Sequence, residues 1–284
     1  MNLTGILALP CLILVVIMSA SSSPMAMADS RSSWSSQITL DQVRDSLTRQ
    51  EDTIIFSLIE RAKYLRNAPI YNQTSNLIHG FSGSLLEFVV KDTEAVQSRA
   101  GRYVNPEENP FFPHHLPSLL IPATGYPQIL NPVASRININ KRIWDLYTNV
   151  LLPLFVPEGD DGNYAATALS DLNCLQALSR RIHYGKFVAE VKFRDSPKDY
   201  ETAIGAEDKS SLMKMLTFAS VEEQVRRRVE KKAKVFGQDV TLDEKEEKKE
   251  KYKVDPSFVS RLYKEWVIPL TKEVEVQYLL RRLS

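Results

Sequence analysis

Two long cations stand out in the apolar run Leu175-Gln176-Ala177-Leu178-Ser179-Arg180-Arg181-Ile182-His183-Tyr184-Gly185-Lys186-Phe187-Val188-Ala189-Glu190-Val191-Lys192-Phe193. Arg181 and Lys192 are eleven residues apart. On a helix they fall within roughly 20° of one face and about 16 Å apart along the axis. Side chains of that length can lean together and clamp a small dianion. The alternative is that both point to water, although Leu175, Leu178, Ile182, Val188 and Val191 leave little room for a solvated face. Near the C-terminus Thr271 and Glu275 lie four apart, on one helical face, beside Lys272. By themselves these three read as a ladder of surface charge. Ser220-Val221-Glu222-Glu223 has the form of a capping box, which gives Glu222 a structural reading as a first-turn carboxylate facing the helix dipole.

Other reactive residue types offer less. His114-His115 follow Phe111-Phe112-Pro113 with no ligand at metal-binding spacing, and His183 reads as a packed, hydrogen-bonded side chain. Asp160-Asp161 lacks the alternating ligands and terminal Glu of a calcium loop. Cys174 stands alone once an N-terminal leader carrying Cys11 is removed, so no intrachain disulfide forms and a small buried hydrophobe is expected. Asn72-Gln73-Thr74 is a glycosylation sequon that matters only if the chain enters the secretory pathway. No metal, Gly-rich phosphate cradle or other cofactor site is legible. Lys+Arg 36 against Asp+Glu 35 argues against a nucleic-acid or acidic-membrane partner.

The elements that must position these side chains are helices. Of 284 residues only 10 are Gly, 43% are hydrophobic, and there is no strand pattern or internal repeat of consequence. Thr39-Leu40-Asp41-Gln42 fits a capping box, behind which Val43, Leu47, Ile54, Leu58, Ile59 and Ala62 recur at helical spacing to about Arg66, ahead of Pro69. Residues 70–80 form a loop and 83–100 a second helix. A proline-dense stretch from Pro106 to Pro132, interleaved with Phe111, Phe112, Leu119, Leu120 and Ile121, is expected to lie pinned against the helices. Helix returns at 138–155. The turn Gly159–Asn163 then launches the longest helix, 164–194, closed ahead of Pro197. A helix pair spans 208–236 up to Gly237, and Asp243–Lys253 is a charged, solvated loop. Asp255-Pro256 opens a last helix, 257–283, in which Pro269 imposes a kink.

The N-terminus differs in kind. Ile6–Met18 is an almost unbroken apolar run, too short to span a bilayer comfortably, and Ala26-Met27-Ala28 offers a small-x-small cleavage site before Asp29. Residues 1–28 therefore read as a secretory signal peptide, 29–37 as a disordered Ser-rich linker and 38–284 as one all-helical domain.

Leu175–Phe193, Thr271-Lys272-Glu273-Val274-Glu275-Val276 with Tyr278-Leu279-Leu280-Arg281-Arg282-Leu283, and Arg49-Gln50-Glu51-Asp52-Thr53-Ile54-Ile55-Phe56 resemble the eukaryotic (fungal and plant) chorismate mutases. The likeness covers about 38–284 and is greatest to the plant isoform that lacks allosteric control. It implies an all-α homodimer with one active site per subunit, turning chorismate into prephenate by a concerted [3,3] rearrangement in phenylalanine and tyrosine biosynthesis, without cofactor. Arg44 and Arg181 resemble the arginines that bind the two substrate carboxylates, and Lys192 the lysine on the ether oxygen and one carboxylate. Glu222 resembles the group that receives the substrate hydroxyl, which reverses its pattern-only reading. Thr271 and Lys272 resemble residues completing the carboxylate pocket. Glu275 resembles a glutamate that donates to the ether oxygen only when protonated, a state that burial favours and Lys192 opposes.

Two departures carry weight. Phe218 stands where the fungal enzyme has an asparagine near the substrate. Ala165-Ala166 replace the Gly-Ser of regulated members, so with Arg102, Gly162 and Asn163 the effector site is expected to be degenerate and control by tryptophan or tyrosine weak or absent. The competing functional reading is a non-catalytic secreted helical dimer that only binds. The leader implies the secretory pathway, with no stable membrane association after cleavage; the resemblance implies cytosol or plastid.

Overall fold

Thr39 opens the first helix. Its hydroxyl accepts from the Gln42 N–H and the Gln42 side chain accepts from the Thr39 N–H, closing a capping box in front of α1, Leu40–Arg61. The computed structural model describes residues 38–73, 78–122, 125–238 and 251–283. The leader, the Ser-rich linker, Thr74 of the sequon and most of the charged 243–253 run lie outside these residues. From Ser35 onward the chain forms one compact unit. It is helical throughout, with no strand among the described residues, and none of their helices is long and apolar enough to cross a membrane.

α1 stops five residues short of the expected end. The Arg61 guanidinium turns back and donates to the carbonyls of Tyr64, Leu65 and Arg66, which draws the chain out of helix. Asn67 then takes a left-handed conformation at φ 54°. The same guanidinium is a staple of the core. Its Nε donates to Asp171 Oδ1 at 2.5 Å, while Tyr147 and Tyr71 donate their hydroxyls to the two Asp171 oxygens at 2.7 and 2.6 Å. Cys174 packs beside them, free and buried, and burial pushes its thiol up to about 12.

α2, Leu85–Arg99, carries a second capping box from Ser84 and Glu87. Its buried Glu94 pins the first half of the proline-rich stretch by accepting from the N–H groups of Phe111 and Phe112. The second half is held through its backbone: the Leu120 N–H donates to the Arg99 carbonyl and the Asn131 N–H to the Tyr278 hydroxyl. Ile129 and Leu130 are buried, but the Leu120 and Ile121 side chains stand in water, Leu120 at 77% exposure.

α3, Asn140–Leu146, widens into a π turn, Tyr147–Leu151, before α4, Leu152–Phe155. The expected 164–194 helix is divided at Tyr184 into α5, Tyr164–His183, and α6, Gly185–Asp195. At 22 residues α1 is longer than either. Pro197 was read only as a stop. It also occupies the first turn of an unforeseen helix α7, Pro197–Gly205, where a missing N–H does no harm. α8, Lys209–Leu216, and α9, Ala219–Gly237, form the expected pair. α9 begins at Ala219 with Phe218 as its N-cap, so the Ser220 capping box does not form.

α10, Pro256–Leu262, a second π turn, Tyr263–Val267, and α11, Ile268–Leu279, make the last helix, which ends four residues before the expected 283. The Pro269 break therefore takes the form of a wide turn. The two π turns share a local sequence, Leu146-Tyr147-(x)3-Leu151-Leu152-Pro153-Leu154 and Leu262-Tyr263-(x)3-Val267-Ile268-Pro269-Leu270. A proline lacks the N–H and its ring crowds the carbonyl four residues back. In both places an N–H reaches five residues back instead, Leu152 to Tyr147 and Ile268 to Tyr263.

Candidate active site

α1, the end of α5, α6, α7, α8, α9 and α11 line a cavity of about 620 Å³. Arg44, Arg181, Lys192, Glu222, Thr271, Lys272 and Glu275 all line it, together with apolar residues such as Val43, Val188 and Val225. Five separate helices, α1, α5, α6, α9 and α11, thus bring together what the sequence scatters over about 230 positions.

Arg181, at 4% exposure, projects from α5 onto α11. Its Nη1 donates to Thr271 Oγ1 at 3.3 Å, and its guanidinium carbon stands 5.9 Å from the Tyr263 ring centroid. Thr271 in turn donates to the Val267 carbonyl at 2.6 Å, which fixes the oxygen that Arg181 meets. Lys192 comes from α6, its Nζ 3.8 Å from Glu275 Oε2 and 4.9 Å from the Phe218 ring centroid. Lys272 donates to Glu222 at 2.8 Å and to Thr217 at 3.1 Å. Glu222 therefore faces the cavity, which favours the family likeness over its reading as a cap. Arg44 is at the mouth, its side chain 61% exposed and paired with Asp41 at 3.1 Å.

The close approach of α6 to α11 depends on Gly185. A Cβ there would lie 2.7 Å from the Thr271 carbonyl oxygen, so only glycine lets the chain restart its helix against this wall. Further along the same contact, Tyr278 and Arg282 both donate to buried Glu190, at 2.5 and 2.6 Å. That tie fixes the helix pair carrying Lys192 and Glu275. Behind the cavity, Glu51 of α1 accepts both donors of the Arg228 fork from α9.

Glu275 is buried, and burial pushes its carboxyl up to about 7, against the opposing pull of Lys192, Arg181 and Lys272. Charge bookkeeping explains the sign: three cations are nearby, but none donates a hydrogen bond to Glu275 Oε2. Arg181 Nε and the Tyr263 hydroxyl also lack partners although buried. The arrangement is a cationic pocket with spare donors and one buried carboxyl whose pKa burial raises to about 7. It suits a small, partly apolar dianion.

The family model for chorismate mutase type II matches residues 163–276. Chorismate mutase 2 of Arabidopsis thaliana is 59% identical over 259 residues, covering 90% of this chain and 98% of its own. The chain belongs to the eukaryotic chorismate mutases. With them it is an enzyme, an intramolecular isomerase. Cytosolic chorismate mutase 2 of Zea mays is 53% identical, covering 87% of this chain and 97% of its own. The solved structure of AtCM1 with tyrosine bound in its allosteric site superposes with a TM-score of 0.80 at 52% identity, over 87% of this chain and 97% of that one.

The remaining sequence candidates fall elsewhere. Arg102 binds Glu108 and Gln176 of α5, whereas Gly162, Asn163, Ala165 and Ala166 lie at the start of α5, ten or more residues and about 15 Å of helix away. One chain therefore does not gather these five residues. His183 is a strut: Nε2 accepts from the Ile139 N–H, Nδ1 meets the Ser179 carbonyl, and burial drives its pKa down to about 3. His114 and His115 sit exposed on a short turn. Among the described residues no group of three or more His, Cys, Asp or Glu is placed to hold a metal ion. Sequence reading missed Gly185 and Tyr263. The signal for Tyr263 was the matching Leu-Tyr…Pro-Leu pattern of the two π turns.

Proposed function

We propose that the chain converts chorismate to prephenate by a concerted rearrangement in phenylalanine and tyrosine biosynthesis. Arg181 and Arg44 hold the two carboxylates, with Thr271 and Lys272 completing the pocket, and Glu222 receives the ring hydroxyl. Lys192 and protonated Glu275 donate to the ether oxygen as its bond to carbon breaks. The protein makes no bond to the substrate. It holds the flexible enolpyruvyl ether in a reactive, folded geometry and sets preformed donors where negative charge develops. The observation that carries this reading is Glu275, a buried carboxyl raised to about 7 within 3.8 Å of Lys192. Purified full chain incubated with chorismate is expected to consume it and yield prephenate. Binding without turnover would instead support the non-catalytic alternative and reject this one.

Three finer readings belong with it. The domain spans 38–284 and pairs as a homodimer. Light scattering at micromolar concentration tests this by reading two chains or one. Control by tyrosine or tryptophan is weak or absent, because Ala165 adds a methyl where the backbone of an effector pocket must approach closely and Ala166 lacks the hydroxyl of a serine. The effector-bound relative makes a tyrosine titration the decisive measurement, and reproducible inhibition refutes it. The compartment is the cytosol or plastid if the relatives, which carry cytosolic and chloroplastic names, are the guide. It is the secretory pathway if the leader is. N-terminal sequencing of the protein made in plant cells, with or without sugar on Asn72, separates the two.

A further inference from the structure

Phe218 breaks a local rule. It is the N-cap of α9, with extended backbone at φ −123° and ψ 92°, and makes no side-chain cap hydrogen bond. Ser, Thr, Asp and Asn are favoured at that position because their oxygens take up a first-turn N–H. Thr39, Ser84, Asp208 and Asp255 do so for α1, α2, α8 and α10. Burial does not compensate for the lost cap, since Phe218 is 52% exposed. What the ring contacts is the cavity, which it lines beside Met215 and Val221, and the Lys192 ammonium at 4.9 Å. Ile139, Asn163 and Ser196 also open helices without a side-chain cap, but Phe218 is the one apolar residue of these four that lines the cavity, and a broken local rule at a cavity wall points to function.

Lys192 therefore lies between Glu275, 3.8 Å away, and the phenyl face. An aromatic face attracts an ammonium without accepting a conventional hydrogen bond, so the N–H groups stay available for substrate oxygens. The ring also excludes water from the ammonium, which strengthens every interaction the charge makes. A hydroxyl or amide at 218 would cap the helix and hydrate the lysine.

We propose that Phe218 is a specificity-determining wall of the cavity: it receives the apolar edge of the bound ring and keeps water from Lys192, in place of the cap α9 would otherwise have. The proposal rests on the chorismate reading above.

The test compares the full chain with Phe218→Ser and Phe218→Leu, measuring the thermal midpoint together with kcat and KM for chorismate consumption. Phe218→Ser supplies a cap and removes the wall. Its midpoint is expected to rise by about 2–4 °C, while kcat/KM falls about 10–100-fold with part of the loss in kcat. Phe218→Leu keeps an apolar wall and is expected to hold kcat/KM within about fivefold, with little change in midpoint. Opposite signs for stability and activity are what a merely structural residue would not give. The proposal is overturned if Phe218→Ser keeps kcat/KM within about twofold, if it melts earlier than the parent, or if Phe218→Leu falls as far as Phe218→Ser. A parent chain inert toward chorismate overturns the functional reading as well; an active parent with unaffected variants overturns only this one.

Discussion

Arg61 meets Asp171 at 2.5 Å with both side chains fully shielded, and every acceptor of that carboxylate is taken by Arg61, Tyr71 or Tyr147. Arg181 is nearly as buried, yet its Nε has no hydrogen-bond partner, and the Oε2 of nearby Glu275 accepts no hydrogen bond, with only the Lys192 ammonium 3.8 Å away. Both centres are built on α5, its continuation and a neighbouring π turn. The first is closed and needs nothing more. The second holds cations and a raised carboxyl around a cavity, which is unfavourable for folding unless a ligand's oxyanions complete it. Buried charge alone does not mark a site here; unsatisfied buried groups gathered on one cavity, as with Arg181 and Glu275, do.

The sharpest way to break this contrast is to remove each arginine. Arg61→Ala strands the Asp171 carboxylate in the core and is expected to lower unfolding free energy by about 3–5 kcal/mol, with kcat/KM of the remaining folded fraction little changed. Arg181→Ala is expected to do the reverse. It should lower kcat/KM by about 10²–10³-fold, some 3–4 kcal/mol, while leaving stability unchanged or raised, because it removes a desolvated cation that only a ligand completes. Urea titration and steady-state kinetics on both variants decide. If Arg181→Ala unfolds as readily as Arg61→Ala, the two centres are alike and the distinction fails.

Glu275 sharpens the comparison through pH. Its carboxyl is raised to about 7 by burial, so the protonated donor is present below neutrality and lost as pH rises through 7. Activity of the parent is expected to fall over that range, and Glu275→Gln should lose the fall. The linkage has the same sign. The folded state holds this proton more tightly than the unfolded chain, so stability is highest at low pH and declines between the ordinary glutamate range and about 7. Above pH 7, Glu275→Gln is therefore expected to be more stable than the parent by about 3 kcal/mol. An unchanged pH–rate profile would remove Glu275 from the proposed chemistry.

How much of this could be read beforehand divides along the same line. Helix starts were legible where the capping residues are local, as at Thr39 and Asp255, and the residues that line the cavity were named through their family likeness. The end of α1 was not, because what unwinds residues 62–66 is a guanidinium whose main partner, Asp171, lies 110 positions away. The division at Tyr184 was hidden for a similar reason: Gly185 must clear the Thr271 carbonyl of a helix that sequence alone does not place beside it. Ser220 misled as a cap because its pattern was correct and the helix begins two residues earlier than that pattern requires, at Ala219 behind Phe218.

The smallest effect is the finest test, because it compares one local sequence in two settings. Tyr147 and Tyr263 each open a π turn ahead of a Pro-Leu pair, and both are fully buried. Tyr147 donates to Asp171 at 2.7 Å, so Tyr147→Phe removes one bond to a buried charge and is expected to cost about 1.5–3 kcal/mol of stability. The Tyr263 hydroxyl has no hydrogen-bond partner, so Tyr263→Phe removes only an unsatisfied group and should be neutral or stabilising by up to about 1 kcal/mol. The aromatic face that Arg181 overlies is retained, and chorismate turnover should change little unless the hydroxyl meets the bound substrate. Paired melting curves read the difference directly. If Tyr263→Phe destabilises as much as Tyr147→Phe, its hydroxyl is satisfied in solution, and the second centre is closed like the first.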